Sequence, residues 1–300
     1  MAPLNDGPGP RFPASRIAVG VPCFNEEARL PALLDALRGL DPAPGAVLIV
    51  DDGSADRTAE RAAVDGVQVL RHARNEGLAA ARNTLWRRAR ELGFPFVSFL
   101  DADVTPPTDW LERIGAVLAQ DPRLAGLGGR NVDPLEEDAA RPDQWRARFW
   151  RQDAGEQPLL DAPMLVGACA TYRVDALQDI AGFDARFRTN GEDVDVGRRL
   201  RAAGHRLRYE PSLVVQHRRR DDAGSLVRLC FRHCRDGMRA TLETPQEHPG
   251  ALELVFGMGR KAVRAPAAAL LKRRDPIEAA LGAAACGAGL VGYGVGWLRR

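Results

Sequence analysis

No Gly-x-Gly-x-x-Gly follows the first apolar strand of this chain, and no Gly-x-x-x-x-Gly-Lys-Ser/Thr occurs anywhere in it. The common dinucleotide-binding and phosphate-loop NTPase readings thereby lose their main support. Cysteine is sparse: Cys23, Cys169, Cys230, Cys234 and Cys286 are an odd, scattered set, which excludes a disulfide framework and points to reduced thiols. Charge of either sign is not in excess; a net +2 leaves no nucleic-acid footprint. The N-terminal stretch from Met1 to Pro13 is rich in Pro and Gly and lacks an apolar signal-peptide core. It is expected to be a mobile tail, residues 1–14, with the body of the chain in the cytoplasm. What remains is an ordinary globular balance, 45% hydrophobic and 27% charged over 300 residues, enough for one large domain or a domain plus an appendage.

The most telling stretch is Phe96-Val97-Ser98-Phe99-Leu100-Asp101-Ala102-Asp103. A short apolar, strand-forming run ends in two carboxylates one residue apart, at the end of a strand where open α/β sheets place their ligands. Paired carboxylates there repel unless a cation sits between them, and Mg²⁺ or Mn²⁺ with oxygen ligands suits the position. The bland alternative is a helix-capping or solvated pair.

Three earlier runs repeat the theme. Ile17–Val21 reads as a strand, with Pro22 turning the chain and Asn25 placed to cap a helix from Glu26 to Leu37. Val47–Val50 reads as a buried strand ending in Asp51-Asp52-Gly53-Ser54. Tandem carboxylates at a strand end suit contact with a base or ribose. Val67–Leu70 is a third strand, followed by a long helix from Asn75-Glu76-Gly77 to Gly93 that carries Arg82 and Asn83. Arg82 is placed either to reach a phosphate or the aspartate cluster, or to sit solvated on the surface. The strand–helix alternation predicts a mainly parallel sheet with helices on both faces.

Farther on, Trp110–Ala119 reads as a helix and Leu124–Leu127 as a strand. Arg141–Arg151 interleaves arginine with Trp145, Phe149 and Trp150, either as an acceptor or membrane contact or as an amphipathic helix over the sheet. Met164–Ala170 is an apolar run with small residues. Glu192 and Asp193 open a helix running to Ala203, where the helix dipole favours carboxylates; they are either dipole complements or a general base. Leu213–Val215 is a late strand ending in Gln216-His217.

Pro22-Cys-Phe-Asn-Glu-Glu27, Val50-Asp-Asp-Gly-Ser-Ala-Asp56, Asn75-x-Gly77 with Arg82-Asn83, Asp101-Ala-Asp103, Gly182-Phe-Asp184 and Gly191-Glu-Asp-Val-Asp195 occur in order. As a set they closely resemble the family 2 glycosyltransferases with the GT-A fold, over about residues 15 to 220. The resemblance implies a Rossmann-like α/β domain over 15–222 and an inverting transfer from a nucleotide-diphosphate sugar, in cell-envelope glycan or glycolipid synthesis. Pro22, Glu26, Asp51 and Asp52 match nucleotide-binding positions, with Arg82 and Asp101 beside them. Asp101 and Asp103 match the Asp-x-Asp motif, Asp103 as the direct ligand of Mg²⁺ or Mn²⁺. Asp193 matches the catalytic base, with Glu192 orienting the acceptor. His217 resembles a histidine that some members place near the metal. Two other readings remain. One is a degenerate, non-catalytic nucleotide-sugar-binding module. The other is a sugar nucleotidyltransferase, which would need a Gly-rich basic loop where Pro22–Glu27 stands.

Residues 223–300 read as a helical appendage. The segment from 218 onward carries roughly +7, a charge that favours anionic lipid surfaces. Cys230, His233 and Cys234 share a helix face but lack a second ligand pair, so no zinc site is expected. Lys272-Arg273-Arg274 precedes the uncharged run Ala279–Trp297, roughly 19 residues and just long enough to span a bilayer. Its Ala- and Gly-rich composition suits either a membrane helix or a helix packed on the protein's own surface. Association with the cytoplasmic face of the membrane, and a lipid-linked or membrane-proximal acceptor, are the expectations.

Overall fold

The apolar runs form the strands expected of them. The structure is a computed structural model that describes residues 11–134, 139–242 and 276–298. Strands β1 (Ile17–Cys23), β2 (Ala46–Asp51), β3 (Val67–Arg71) and β4 (Phe96–Phe99) are parallel neighbours in the order β3-β2-β1-β4. Antiparallel β7 (Ala170–Arg173) follows β4, and β6 (Gly126–Val132), β8 (Leu207–His217) and the short β5 (Val104–Thr105) complete an eight-stranded mixed sheet. Helices α1 (Leu30–Arg38), α2 (Thr58–Ala62), α3 (Leu78–Glu91), α4 (Trp110–Gln120), α5 (Arg141–Phe149), α6 (Val174–Asp179) and α7 (Glu192–Ala202) connect them. Then come α8 (Ala223–Leu242) and α9 (Pro276–Leu298). This is the α/β architecture with a helical C-terminal region that the sequence predicts.

Alternation along β1 builds a core on each face. Ile17, Val19 and Val21 pack with Leu30, Leu33 and Leu37 of α1 and Trp110 and Ile114 of α4, while Ala18 faces the opposite layer with Leu85 and Trp86 of α3 and Leu200 of α7. Each such buried Val, Leu or Ile side chain stabilises the fold by about 1.5–3 kcal/mol.

Several expectations need correction. Pro22 does not turn the chain: it lies inside β1, paired with Val50 of β2. The Gly20 carbonyl faces β4, accepting from Leu100 N, so Pro22, two residues on, faces the same side beyond the end of β4. The N–H that proline lacks has no ladder partner there to lose. α1 starts at Leu30, not Glu26, and Asn25 adopts φ 56° instead of capping it. β6 begins at Gly126, two residues after the expected Leu124. β8 begins at Leu207 and spans 11 residues. Of the expected N-terminal tail, residues 1–10 lie outside the described residues. Phe12 packs edge-on against Phe96 at 5.0 Å, and Ala14 is buried.

The uncharged run 279–297 forms most of α9, which packs along α8. Among the described residues no helix is long and apolar enough to cross a membrane. Lys272–Arg274 fall outside the described residues. The small residues of α9 let two backbones approach: a β-carbon on Gly292 would lie 2.3 Å from the Phe231 carbonyl oxygen, and one on Gly296 2.2 Å from that of Arg235. Gly292→Val is therefore expected to lower stability by about 1–3 kcal/mol through overpacking, seen as a lower thermal midpoint. Gly294→Val, where an added β-carbon meets nothing within 4 Å, is the control and should leave the midpoint in place.

Candidate active site

The strand ends of β1, β2 and β4 open on one side of the sheet, and their loops hold each other. Asn25 donates its N–H to Ser54 Oγ (2.9 Å) and accepts the Ala55 N–H on Oδ1 (2.9 Å). Glu26 N donates to Thr58 Oγ1 (2.8 Å) and Glu27 N to Asp56 Oδ2 (3.1 Å). Asparagine tolerates the left-handed conformation that this clamp needs. The Phe-Asn-Glu-Glu and Asp-Asp-Gly-Ser motifs are thus two halves of one loop pair, and the clamp aims Glu26 inward.

The two tandem aspartates diverge. Asp52 accepts the N–H groups of Glu76 and Gly77, both at 2.8 Å, and contacts His72 Nδ1 at 2.6 Å, so it anchors the turn that starts α3. Asp51 is fully buried, accepts Ser54 N at 3.0 Å and pairs with Arg71 at 3.1 Å.

Arg82 is not solvated. It is 1% exposed and bridges two motifs, donating from Nη1 to Glu192 Oε1 (2.5 Å) and from Nη2 to Asp101 Oδ1 (3.0 Å). Phe99 and Phe183 flank its guanidinium. Its neighbour Asn83 fastens the Gly182-Phe183 turn, donating to Phe183 O (2.7 Å) and accepting from Phe183 N (2.9 Å). Gly191 precedes α7 at φ 87°, a left-handed position where a β-carbon would also lie 2.8 Å from Asp236 O of α8. Glycine here lets α7 start with Glu192 and Asp193 at the sheet's ligand side.

These elements enclose a cavity of about 480 Å³. Pro22, Glu26, Asp52, Arg82, Asp101, Asp103, Glu192, Asp193 and His217 line it. Asp51 is not among the lining residues; its carboxylate turns back to its own loop. Burial pushes Glu192 up to about 7, with Arg82 opposing and Asp193 adding to the rise. Burial also raises Asp193, against Arg82 and the Val194 and Gly167 N–H groups. Burial raises Glu26, opposed by Arg29 and reinforced by Asp103 and Asp101.

His217 presents Nε2 to Asp103 Oδ1 at 3.6 Å, with Nδ1 on Asp133 Oδ1 at 3.1 Å. Arg146 of α5 pairs with Asp133 and, at 2.8 Å, with Asp221. Although burial pushes Asp133 up, its bond to His217 and the Arg146 charge hold it below the usual carboxylate range. A carboxylate behind a histidine fixes the ring for a metal on its other nitrogen. Among the described residues no three His, Cys, Asp or Glu side chains are gathered to hold an ion by themselves. Asp103 and His217 therefore fit a divalent ion that takes its remaining oxygens from water and a ligand's phosphates, the usual Mg²⁺ mode.

The lining also includes residues that the sequence reading did not assign to the site. Leu229, Arg232 and His233 of α8 face the cavity, as do Arg188, Asn190 and Arg219. The available signal was their i, i+3, i+4 spacing on a helix soon after His217.

The fold is the one that solved glycosyltransferase structures share. The mannosyltransferase PcManGT from Pyrobaculum calidifontis, solved with GDP-Man and Mn²⁺, superposes with a TM-score of 0.65 at 19% identity, covering 96% of this chain and 90% of that one. GalNAc-T7 with UDP, GalNAc and Mn²⁺ superposes at 0.55 with 15% identity, over 78% of this chain and 48% of that one. The family model for glycosyl transferase family 2 matches residues 18–181, more than half of the sequence, and the chain belongs to that family. The pre-mycofactocin glycosyltransferase of Mycobacterium tuberculosis is 36% identical over 247 residues, 75% of this chain and 50% of that protein. The chain thus spans half the length of that relative. The N-acetylglucosaminyl-diphospho-decaprenol L-rhamnosyltransferase of the same organism is 29% identical over 211 residues, 60% of this chain and 69% of that one.

Proposed function

We propose that this chain transfers a sugar from a nucleotide-diphosphate sugar to an acceptor hydroxyl, inverting the anomeric centre. The observation that carries the reading is Asp193, half-buried at the start of α7 and lining the cavity beside Glu192, Asp101 and Asp103. Glu192 is tied to Arg82, and Asp52 to the α3 turn. Asp193 takes the proton of the acceptor hydroxyl as its oxygen bonds to C1, while the C1–oxygen bond to the diphosphate breaks on the opposite face. Glu192, fixed by Arg82, orients that hydroxyl. Pro22, Glu26 and Asp52 face the nucleotide side, with Asp51 acting through the loop it holds. Asp101, steadied by Arg82, sits between sugar and diphosphate. Asp103 and His217 would hold Mg²⁺ or Mn²⁺, which supplies charge neutralisation to the departing diphosphate.

A lipid-linked acceptor at the cytoplasmic membrane face belongs to the same reading. The rhamnosyltransferase relative's printed name supports it, as do Leu290, Val291 and Leu298, exposed along α9 by 44%, 62% and 74%.

Thermal midpoints of the full chain with UDP-, GDP- and dTDP-sugars, with and without Mn²⁺, test the donor side. One nucleotide should raise the midpoint by mass action in a metal-dependent way. Asp103→Ala should abolish the metal-dependent part, and Asp133→Asn should weaken metal affinity roughly 10- to 100-fold through His217. A full metal-dependent shift in Asp103→Ala would remove the metal assignment.

A further inference from the structure

The α8 wall of the cavity carries a guanidinium that no anion among the described residues bonds. Arg232 makes no hydrogen bond or ion pair among the described residues, and its Nε is buried without a partner. The carboxylates nearby in sequence are taken. Arg219 holds Asp221 through Nε (2.9 Å) and Nη2 (3.0 Å). Arg235 holds both oxygens of Asp236 (2.6 and 2.7 Å), which also accepts from Thr189 Oγ1 at 3.2 Å. Burial and the charges of Arg219, Arg228 and Arg235 disfavour the Arg232 cation, with Asp236 opposing them, so these positive surroundings favour an added anion. Its neighbour His233 also lines the cavity, and burial with Arg219 and Arg232 pushes it down to about 4, leaving it neutral at pH 7. An unpaired, part-buried guanidinium is costly unless something supplies its counter-charge. The cavity that holds the acidic cluster lies beside it, and a forked guanidinium suits the oxygens of a phosphate.

We propose that Arg232 is the cavity's phosphate anchor, binding a phosphate oxygen of the ligand beside Arg219 and His233. The inference rests on the nucleotide-sugar reading of the site and extends it to a helix outside the stretch matched by the family model. The phosphate has two possible sources, the donor's diphosphate or an anionic group on the acceptor.

Calorimetric titration of the full chain separates them. The first probe is UDP or GDP with Mn²⁺; the second is inorganic phosphate added to nucleotide-saturated protein. Arg232→Met is expected to weaken one of these by roughly 10- to 100-fold, with Arg232→Lys in between. Its thermal midpoint without ligand should be unchanged or higher, since no ion pair is lost. Weakened nucleoside diphosphate binding assigns the anchor to the donor. Weakened binding of added phosphate alone assigns it to the acceptor. Arg228→Met, which removes the same charge from an exposed position on α8, should leave both affinities in place. Equal binding by wild type and Arg232→Met, or equal weakening in Arg228→Met, overturns the inference alone. A wild-type chain that binds neither probe overturns the donor reading with it.

Discussion

Asp193→Asn lowers kcat by roughly 10²- to 10⁴-fold while the dissociation constant for the donor stays within a few-fold of wild type. General-base assistance is worth about that much, and asparagine keeps the shape while removing the basic lone pair. Donor titration alongside single-turnover rates checks both halves; near-wild-type turnover in Asp193→Asn would remove the base assignment. The same residue sets a pH dependence. A base must be ionised to work, and both Asp193 and its neighbour Glu192 are raised by burial, Glu192 to about 7. Activity is therefore lost as pH falls through the titration of the pair. The acid limb of kcat/KM lies above the ordinary carboxylate range and is assigned to the pair, not to either member. An acid limb near pH 4 would contradict this.

Arg82→Met removes about 3–5 kcal/mol of stability, the cost of stripping the cation from a buried pair. The variant leaves Glu192, 4% exposed, beside Asp101 and Asp193 with no counter-charge. Denaturant unfolding at pH 8 measures the loss. The sign with pH follows from the glutamate. Its folded pKa, already raised above the ordinary value of 4.5, rises further without Arg82, so the folded variant binds a proton that the unfolded chain releases. The deficit is largest above the variant's folded pKa and shrinks as pH falls toward the wild-type value of about 7, below which Glu192 is protonated in both folded forms. A deficit that grows on acidification would show that Arg82 acts through something other than the Glu192 charge.

Much of this site is legible in the sequence because its parts follow buried strands, whose apolar runs are conspicuous and whose ends are marked by Asp, Asn or Gly. Asp101, Asp103, Glu192, Asp193 and His217 all line the one cavity. What escapes is what depends on which strands are neighbours. Asn25 looks like a helix cap until β1 and β2 lie side by side and Ser54 comes within 2.9 Å. Asp51 and Asp52 read alike, but one faces its own turn and the other the α3 start. β8 is partly hidden, because Arg208, Glu210 and Pro211 interrupt it and its alternate positions are part-exposed. Arg146, set among aromatics, reads as an interfacial arginine, yet it is buried among Asp133, Asp143 and Asp221. Arg232 escapes because an arginine on an amphipathic helix is ordinary, and only the cavity makes its lack of an anion visible.

Helix α8 has two occupied sides. One carries Leu229, Arg232 and His233 into the cavity; the other receives the close approach of α9 at Phe231 and Arg235. A helix is stiff over this length, and backbone-to-backbone contact leaves little slack between it and α9. The helix that α9 touches at Phe231 and Arg235 is thus the same one that carries Leu229, Arg232 and His233, and the packing of the outer helix and the shape of the cavity wall share one backbone.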